Sequence, residues 1–160
     1  MVAQASLGKE VLEVAIEIER NGKSLYDRLA KQAKTEAVQN IYVYLATQEK
    51  DHENTFRAIL NRLGGYQPPQ PSAEHYQYIK DLADAEIFVG ERVQALLAKQ
   101  TVNETEALDI AIGFEKDSIL LYSEIRGFLP KADQDIVETV IFEEKRHLRE
   151  LMDLKKGSRA

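Results

Sequence analysis

The sequence contains no cysteine, and positive charge is in deficit. Without cysteine there is no disulfide, thiolate nucleophile, zinc ribbon or iron–sulfur ligation. A tightly held transition metal would then have to use carboxylate and imidazole ligands. The 21 Lys and Arg residues stand against 27 Asp and Glu, a net charge of −6 with no basic stripe. A nucleic-acid partner, which needs phosphate-neutralising cations, is therefore not expected. No apolar run approaches the ~20 residues of a membrane span, so no membrane partner is expected either. The N-terminal MVAQASLGKEVLEVAIEIER lacks a basic segment followed by an apolar stretch, the mark of a signal peptide. The expectation is a cytoplasmic protein of one domain, residues 1–160, long enough to bury a real core.

Glycine and proline are scarce, and they cluster. Gly64-Gly65 with Pro68, Pro69 and Pro71 mark one break, and Gly127 with Pro130 marks another. Between the breaks, apolar residues recur every three or four positions, so the chain reads as all-α. Four long helices are predicted, at about 7–33, 36–63, 104–127 and 134–155. Thr35, Asn103 and Asp133 are the expected N-caps of the last three. Leu12, Ala15, Gly22, Tyr26 and Leu29 form the inward stripe of the first helix; Ile136, Val140, Ile141, Leu148 and Leu151 form that of the last. Two short turns imply two antiparallel hairpins. The long link over 64–103, with one or two helical pieces in 73–100, is the crossover of a ferritin-like four-helix bundle.

Two copies of one motif stand out, Glu49-Lys-Asp-His52 and Glu144-Lys-Arg-His147, 95 residues apart. Positions i and i+3 of a helix share a face, so each copy aims a carboxylate and an imidazole the same way. The helices before them are also related. AIEIERNGKSLY (15–26) laid over AIGFEKDSILLY (111–122) gives five identities in twelve positions, pairing Glu19 with Glu115 and Tyr26 with Tyr122. Glu19 precedes Glu49 by 30 residues, and Glu115 precedes Glu144 by 29. Each half is thus a helix with one inward glutamate, then a helix with Glu-x-x-His.

Glu19 and Glu115 interrupt apolar stripes, and the Glu-x-x-His pairs fall on the faces of Leu45 and Phe56, and of Val140 and Leu151. Four unpaired carboxylates in a core would cost on the order of several kcal/mol each unless protonated or neutralised. Two divalent cations would cancel that charge. One Glu from each of two helices and Glu-x-x-His from the other two is the pattern of dimetal carboxylate bundles. Glu49 and Glu144 are the expected bridges, His52 and His147 bind one metal each, and Glu19 and Glu115 are terminal. Such ligands suit iron or manganese, with zinc also allowed. By contrast, Glu13, Glu17 and Glu143 read as solvated glutamates, and His75 reads as a surface residue. Tyr26 and Tyr122 are either core aromatics or hydroxyl donors to a ligating carboxylate.

On the segments AIEIERNGKSLY, ATQEKDHENTF, AIGFEKDSILLY and FEEKRHLREL, the chain resembles the ferritin-like superfamily, and within it the rubrerythrin branch, over most of residues 10–155. The resemblance implies that Glu19, Glu49, His52, Glu115, Glu144 and His147 are both the ligands of two iron ions and the catalytic residues. The implied activity is oxidation of ferrous iron by hydrogen peroxide or oxygen, with peroxide reduced to water. Rubrerythrins add a Cys-rich rubredoxin domain that delivers electrons; with no cysteine here, an external electron donor protein is expected. They also carry a further glutamate three residues after the third-helix ligand, where this chain has Ser118.

The run Ile41–Leu45 is apolar or aromatic throughout, and Ser118–Tyr122 is nearly so. One face of a bundle helix is buried, so the extra faces need covering: the 73–100 crossover can take one and a second subunit the other, giving the expected homodimer, which the rubrerythrin resemblance also favours. Three functions fit the sequence: a diiron peroxidase or oxidase, a ferroxidase for iron handling, and a structural bundle with an empty or non-redox site.

Overall fold

A computed structural model describes residues 2–159, and the side chains of 7–157 apart from residue 88. The described residues form five helices: α1 (Val2–Gln32), α2 (Glu36–Leu63), α3 (Ala73–Leu97), α4 (Glu104–Arg126) and α5 (Lys131–Arg159). Helices α1 and α2 pack together as one hairpin, and α4 and α5 as the other. The crossover is a single helix, α3, laid against α1 and α4. The all-α bundle with a long helical crossover is as the periodicity and the breaks predict.

The caps account for most boundaries. Thr35 accepts from the Val38 amide, Ser72 from the His75 amide and Asn103 from the Glu106 amide, each satisfying an orphan donor of a first turn. Gly64 ends α2 at φ 52°, a backbone region glycine enters at little cost. Two expectations need correction. Asp133 is not the cap of α5, which starts at Lys131; the Pro130 carbonyl accepts from the amides of Asp133 and Gln134. The Asp133 side chain instead accepts from Arg62 Nε at 2.9 Å, tying the end of α2 to the start of α5. Ile136 is 38% exposed, and its neighbour Val137 is fully buried in its place. Val137 stands three, four and seven positions before Val140, Ile141 and Glu144, so it shares their inward face, and Ile136 lies to the side of it.

Packing divides the interior into two apolar layers. One contains Leu12, Ala15, Phe56, Phe114, Ile125, Val137 and Val140. The other contains Leu25, Leu29, Leu45, Ala107, Ala111 and Leu151. Along each bundle helix the layers are separated by the same kind of interruption: Glu19 and Gly22 on α1, Glu49 and His52 on α2, Glu115 on α4, and Glu144 and His147 on α5. All seven residues are buried. The polar slab is therefore sandwiched between two dry layers, each supplied by all four bundle helices.

Gly22 makes the slab possible. A Cβ at this position would lie 2.7 Å from Glu49 Oε2 and 3.1 Å from Phe114 Cε1. A mid-helix glycine costs about 0.5–1 kcal/mol relative to alanine, so its place here is explained by room rather than by helix propensity. Gly113 has nothing within 4 Å of its would-be Cβ. Gly113→Ala is therefore expected to raise stability in chemical denaturation by about 0.5–1 kcal/mol. Gly22→Ala should leave the helical fold intact but displace Glu49 and lower bound metal, measured by elemental analysis.

Candidate metal centre

The six residues singled out by the repeat converge at the centre of the bundle, each at most 3% exposed. Glu144 occupies the middle: Oε1 lies 2.8 Å from His52 Nδ1 and Oε2 lies 2.9 Å from His147 Nδ1. On the opposite side, Glu49 Oε1 is 3.3 Å from His147 Nδ1 and Glu19 Oε2 is 3.6 Å from His52 Nδ1. The two imidazoles stack with ring centroids 5.5 Å apart. One ligand atom from each of Glu49, His52, Glu144 and His147 falls within 4.8 Å of the others. Among the described residues, no other group of three or more acidic, histidine or cysteine side chains is so disposed.

The two tyrosines are hydroxyl donors, and they cross between the halves. Tyr122 of α4 donates to Glu19 Oε1 of α1 at 2.5 Å, and Tyr26 of α1 donates to Glu115 Oε1 of α4. Each half therefore orients a buried carboxylate of the other, Glu19 or Glu115. Burial, followed by the nearby carboxylates, raises both phenols well above their ordinary range, so both protons stay on oxygen.

The electrostatics of this cluster favour cations. Burial and then the Glu144 charge raise the carboxyls of Glu19, Glu49 and Glu115. Burial works against Glu144 as well, yet its hydrogen bonds with His147 and His52 hold it below the usual carboxylate range. Burial alone would lower the imidazoles; Glu144 and Glu19 instead lift His52 to about 12, and Glu144 and Glu49 lift His147 to about 9. Glu19 Oε2 and Glu49 Oε1 are buried with no hydrogen-bond partner among the described residues. Orphaned carboxylate oxygens facing imidazole Nδ1 atoms are the donor set that a pair of hard or borderline dications would complete.

Glu143 departs from the solvated reading. Its Oε2 lies 2.8 Å from His52 Nε2, the ring nitrogen turned away from the cluster, and its side chain is only one-third exposed. A carboxylate on the outer nitrogen fixes an imidazole's orientation and raises its basicity as a ligand. No spacing rule on α5 reveals this, because the contact exists only once α2 and α5 approach. Glu53, beside His52, is buried too but takes Arg20, Lys50 and Arg57 as partners. Its carboxylate is thus occupied on the side away from the centre. Glu13 and Glu17 pair only with Lys9 and Arg20 at the surface. His75, half exposed, pairs with Glu124 at 2.6 Å. Ser118 is buried, and its hydroxyl donates back to the Phe114 carbonyl at 2.8 Å.

Fold and site together define a ferritin-like helical bundle built around a buried carboxylate and histidine metal centre. A model of the rubrerythrin family matches residues 10–155, and the chain belongs to that family. It is also similar to a solved structure from Thermotoga maritima described as a ferritin-like diiron-carboxylate protein, at 31% identity and a TM-score of 0.68. That similarity covers 94% of this chain and 95% of the other. No curated protein matches the chain.

Removing the central carboxylates should be decisive. Glu144→Ala or Glu49→Ala is expected to abolish binding of a metal pair in titrations followed by elemental analysis, whereas Glu13→Ala should leave it unchanged. Retention of two ions by both variants would refute the ligand assignment. Glu143→Gln is expected to weaken one of the two ions by about 10–100-fold while the other binds as before.

Proposed function

We propose that the protein is a non-haem dinuclear iron oxidoreductase that reduces hydrogen peroxide or oxygen, with electrons supplied by a separate donor protein. Glu144, flanked by both His Nδ1 atoms, carries this reading, because a single carboxylate so placed can serve two ions at once. Reducing one peroxide to two waters takes two electrons and two protons, and two bound iron ions would supply the electron pair. The six residues above are the proposed ligands and catalytic groups, with Glu49 and Glu144 bridging and Glu19 and Glu115 terminal. Manganese or zinc would satisfy the same donors. Tyr122 and Tyr26 hold their hydroxyl protons at Glu19 Oε1 and Glu115 Oε1, keeping both terminal carboxylates in register. The apolar layers on either side exclude bulk water from the reacting centre.

Ser118 supports a second reading, iron oxidation for handling or storage. Its hydroxyl is committed to the Phe114 carbonyl, so the position offers no carboxylate to the centre. The proposed assembly is a homodimer rather than a storage shell. Helix α3 lies against α1 and α4, while Val43 and Tyr44 of α2 and Phe142 of α5 remain 50%, 37% and 63% exposed. A second subunit seated on α2 and α5 would bury them.

Anaerobic loading with ferrous iron, then stopped-flow mixing with peroxide or with oxygen, tests the reaction. A centre oxidised much faster by peroxide, with about two electrons consumed per peroxide, fits the first reading. Faster oxidation by oxygen, with light scattering showing a many-subunit shell, would replace it by the second. A monomer of 18.2 kDa would remove the homodimer.

A further inference from the structure

Glu86, midway along α3, is buried to 3% exposure, and neither of its carboxylate oxygens has a hydrogen-bond partner among the described residues. Every other buried carboxylate among the described residues is accounted for. Glu53 has its three cations, Asp133 has Arg62, and the remaining four belong to the metal centre. Glu86 is not one of the proposed metal ligands. An unpartnered buried carboxyl is costly, and such a group is retained where something else completes it.

The residue lines a cleft of about 360 Å³ between α1 and α3, within the range of small-molecule sites. The walls are apolar, formed by Val11, Val14 and Ile18 of α1 and Ile87 of α3. The rim is acidic, with Glu13, Glu17 and Asp84. Lys80 is the one cation in the lining, and it reaches Glu10 at 3.5 Å rather than Glu86. A lone metal ion does not fit this cleft. Among the described residues its acidic side chains form no group of three with convergent ligand atoms, and the walls are mainly aliphatic. A charged head joined to a short apolar body does fit: the head meets the buried carboxylate, the body meets the aliphatic walls, and the acidic rim draws cations to the mouth.

We propose that the α1–α3 cleft binds a small organic ammonium ion, its head on the Glu86 carboxylate and its apolar body against Val11, Ile18 and Ile87. Burial, then the neighbouring Asp117, pushes the Glu86 carboxyl up to about 8 in the absence of a ligand. A bound ammonium would return it to the ionised form. Binding does not depend on the redox reading, because Glu86 belongs neither to the metal centre nor to the groups that touch it.

Isothermal titration of the metal-loaded full chain with hexylammonium chloride, hexan-1-ol and sodium hexanoate tests the assignment. Saturable hexylammonium binding, at least about tenfold tighter than hexanol and with no hexanoate binding, is expected. Glu86→Gln should weaken it by about tenfold or more, with metal content and melting temperature retained. Ile87→Arg, which puts a guanidinium at the half-exposed cleft wall, should abolish it and serves if Glu86→Gln does not fold. Equal affinity for hexylammonium and hexanol, undiminished binding in a folded variant of either kind, or no binding at millimolar ligand would overturn the proposal.

Discussion

The burial of four carboxylates between two apolar layers is the constraint on which the rest of the structure depends. An isolated ionised carboxylate in a dry interior is opposed by several kcal/mol, and four together repel one another as well. Glu144 is held ionised by two imidazoles, while burial and its charge push the other three carboxyls toward neutrality. A pair of dications would remove that conflict at once. The layers above and below then keep water out and sharpen every charge interaction in the slab.

That constraint also explains features with no evident part in simple helix packing. Gly22 gives up helix propensity so that Glu49 can reach inward. Tyr26 and Tyr122 are fully buried aromatics that could have been phenylalanines if only volume mattered. Their hydroxyls instead cross between α1 and α4, so the alignment of the two hairpins is coupled to the placement of Glu19 and Glu115. A shift of one hairpin against the other would strand two buried hydroxyls and two carboxylates together, which makes the register of the bundle and the geometry of the site a single property.

Much of this was legible in the sequence because it resides in spacing along single helices. The i, i+3 pairing, the Glu19 and Glu115 interruptions and the Thr35 and Asn103 caps are all local, and helical geometry converts them directly into directions in space. Contacts between helices were not legible. Nothing around Glu143 says that it will meet His52, and nothing around Asp133 says that Arg62 will draw it from a capping role. Tyr26 and Tyr122 fall between these cases: their equivalence was visible, but their crossing depends on how closely α1 and α4 approach. The start of α5 is likewise not marked by a capping side chain, because the Pro130 carbonyl serves as acceptor for the first turn. The inward place of Val137 rather than Ile136 follows from its spacing to Ile141 and Glu144.

The internal repeat is most informative where it fails. Aligning the halves equates Gly22 with Ser118, and both small residues are buried. It also equates Glu143 with Gln48, since each directly precedes its Glu-x-x-His. Glu143 supplies a carboxylate to the outer nitrogen of His52, whereas His147 Nε2 is buried with no hydrogen-bond partner among the described residues. The two imidazoles are therefore supported differently: His52 meets carboxylates through both ring nitrogens, whereas His147 meets them through Nδ1. Two ions held by the proposed ligands would thus meet imidazoles that differ in the support behind them. That asymmetry arises from one residue, Glu143, lying outside the proposed ligand set.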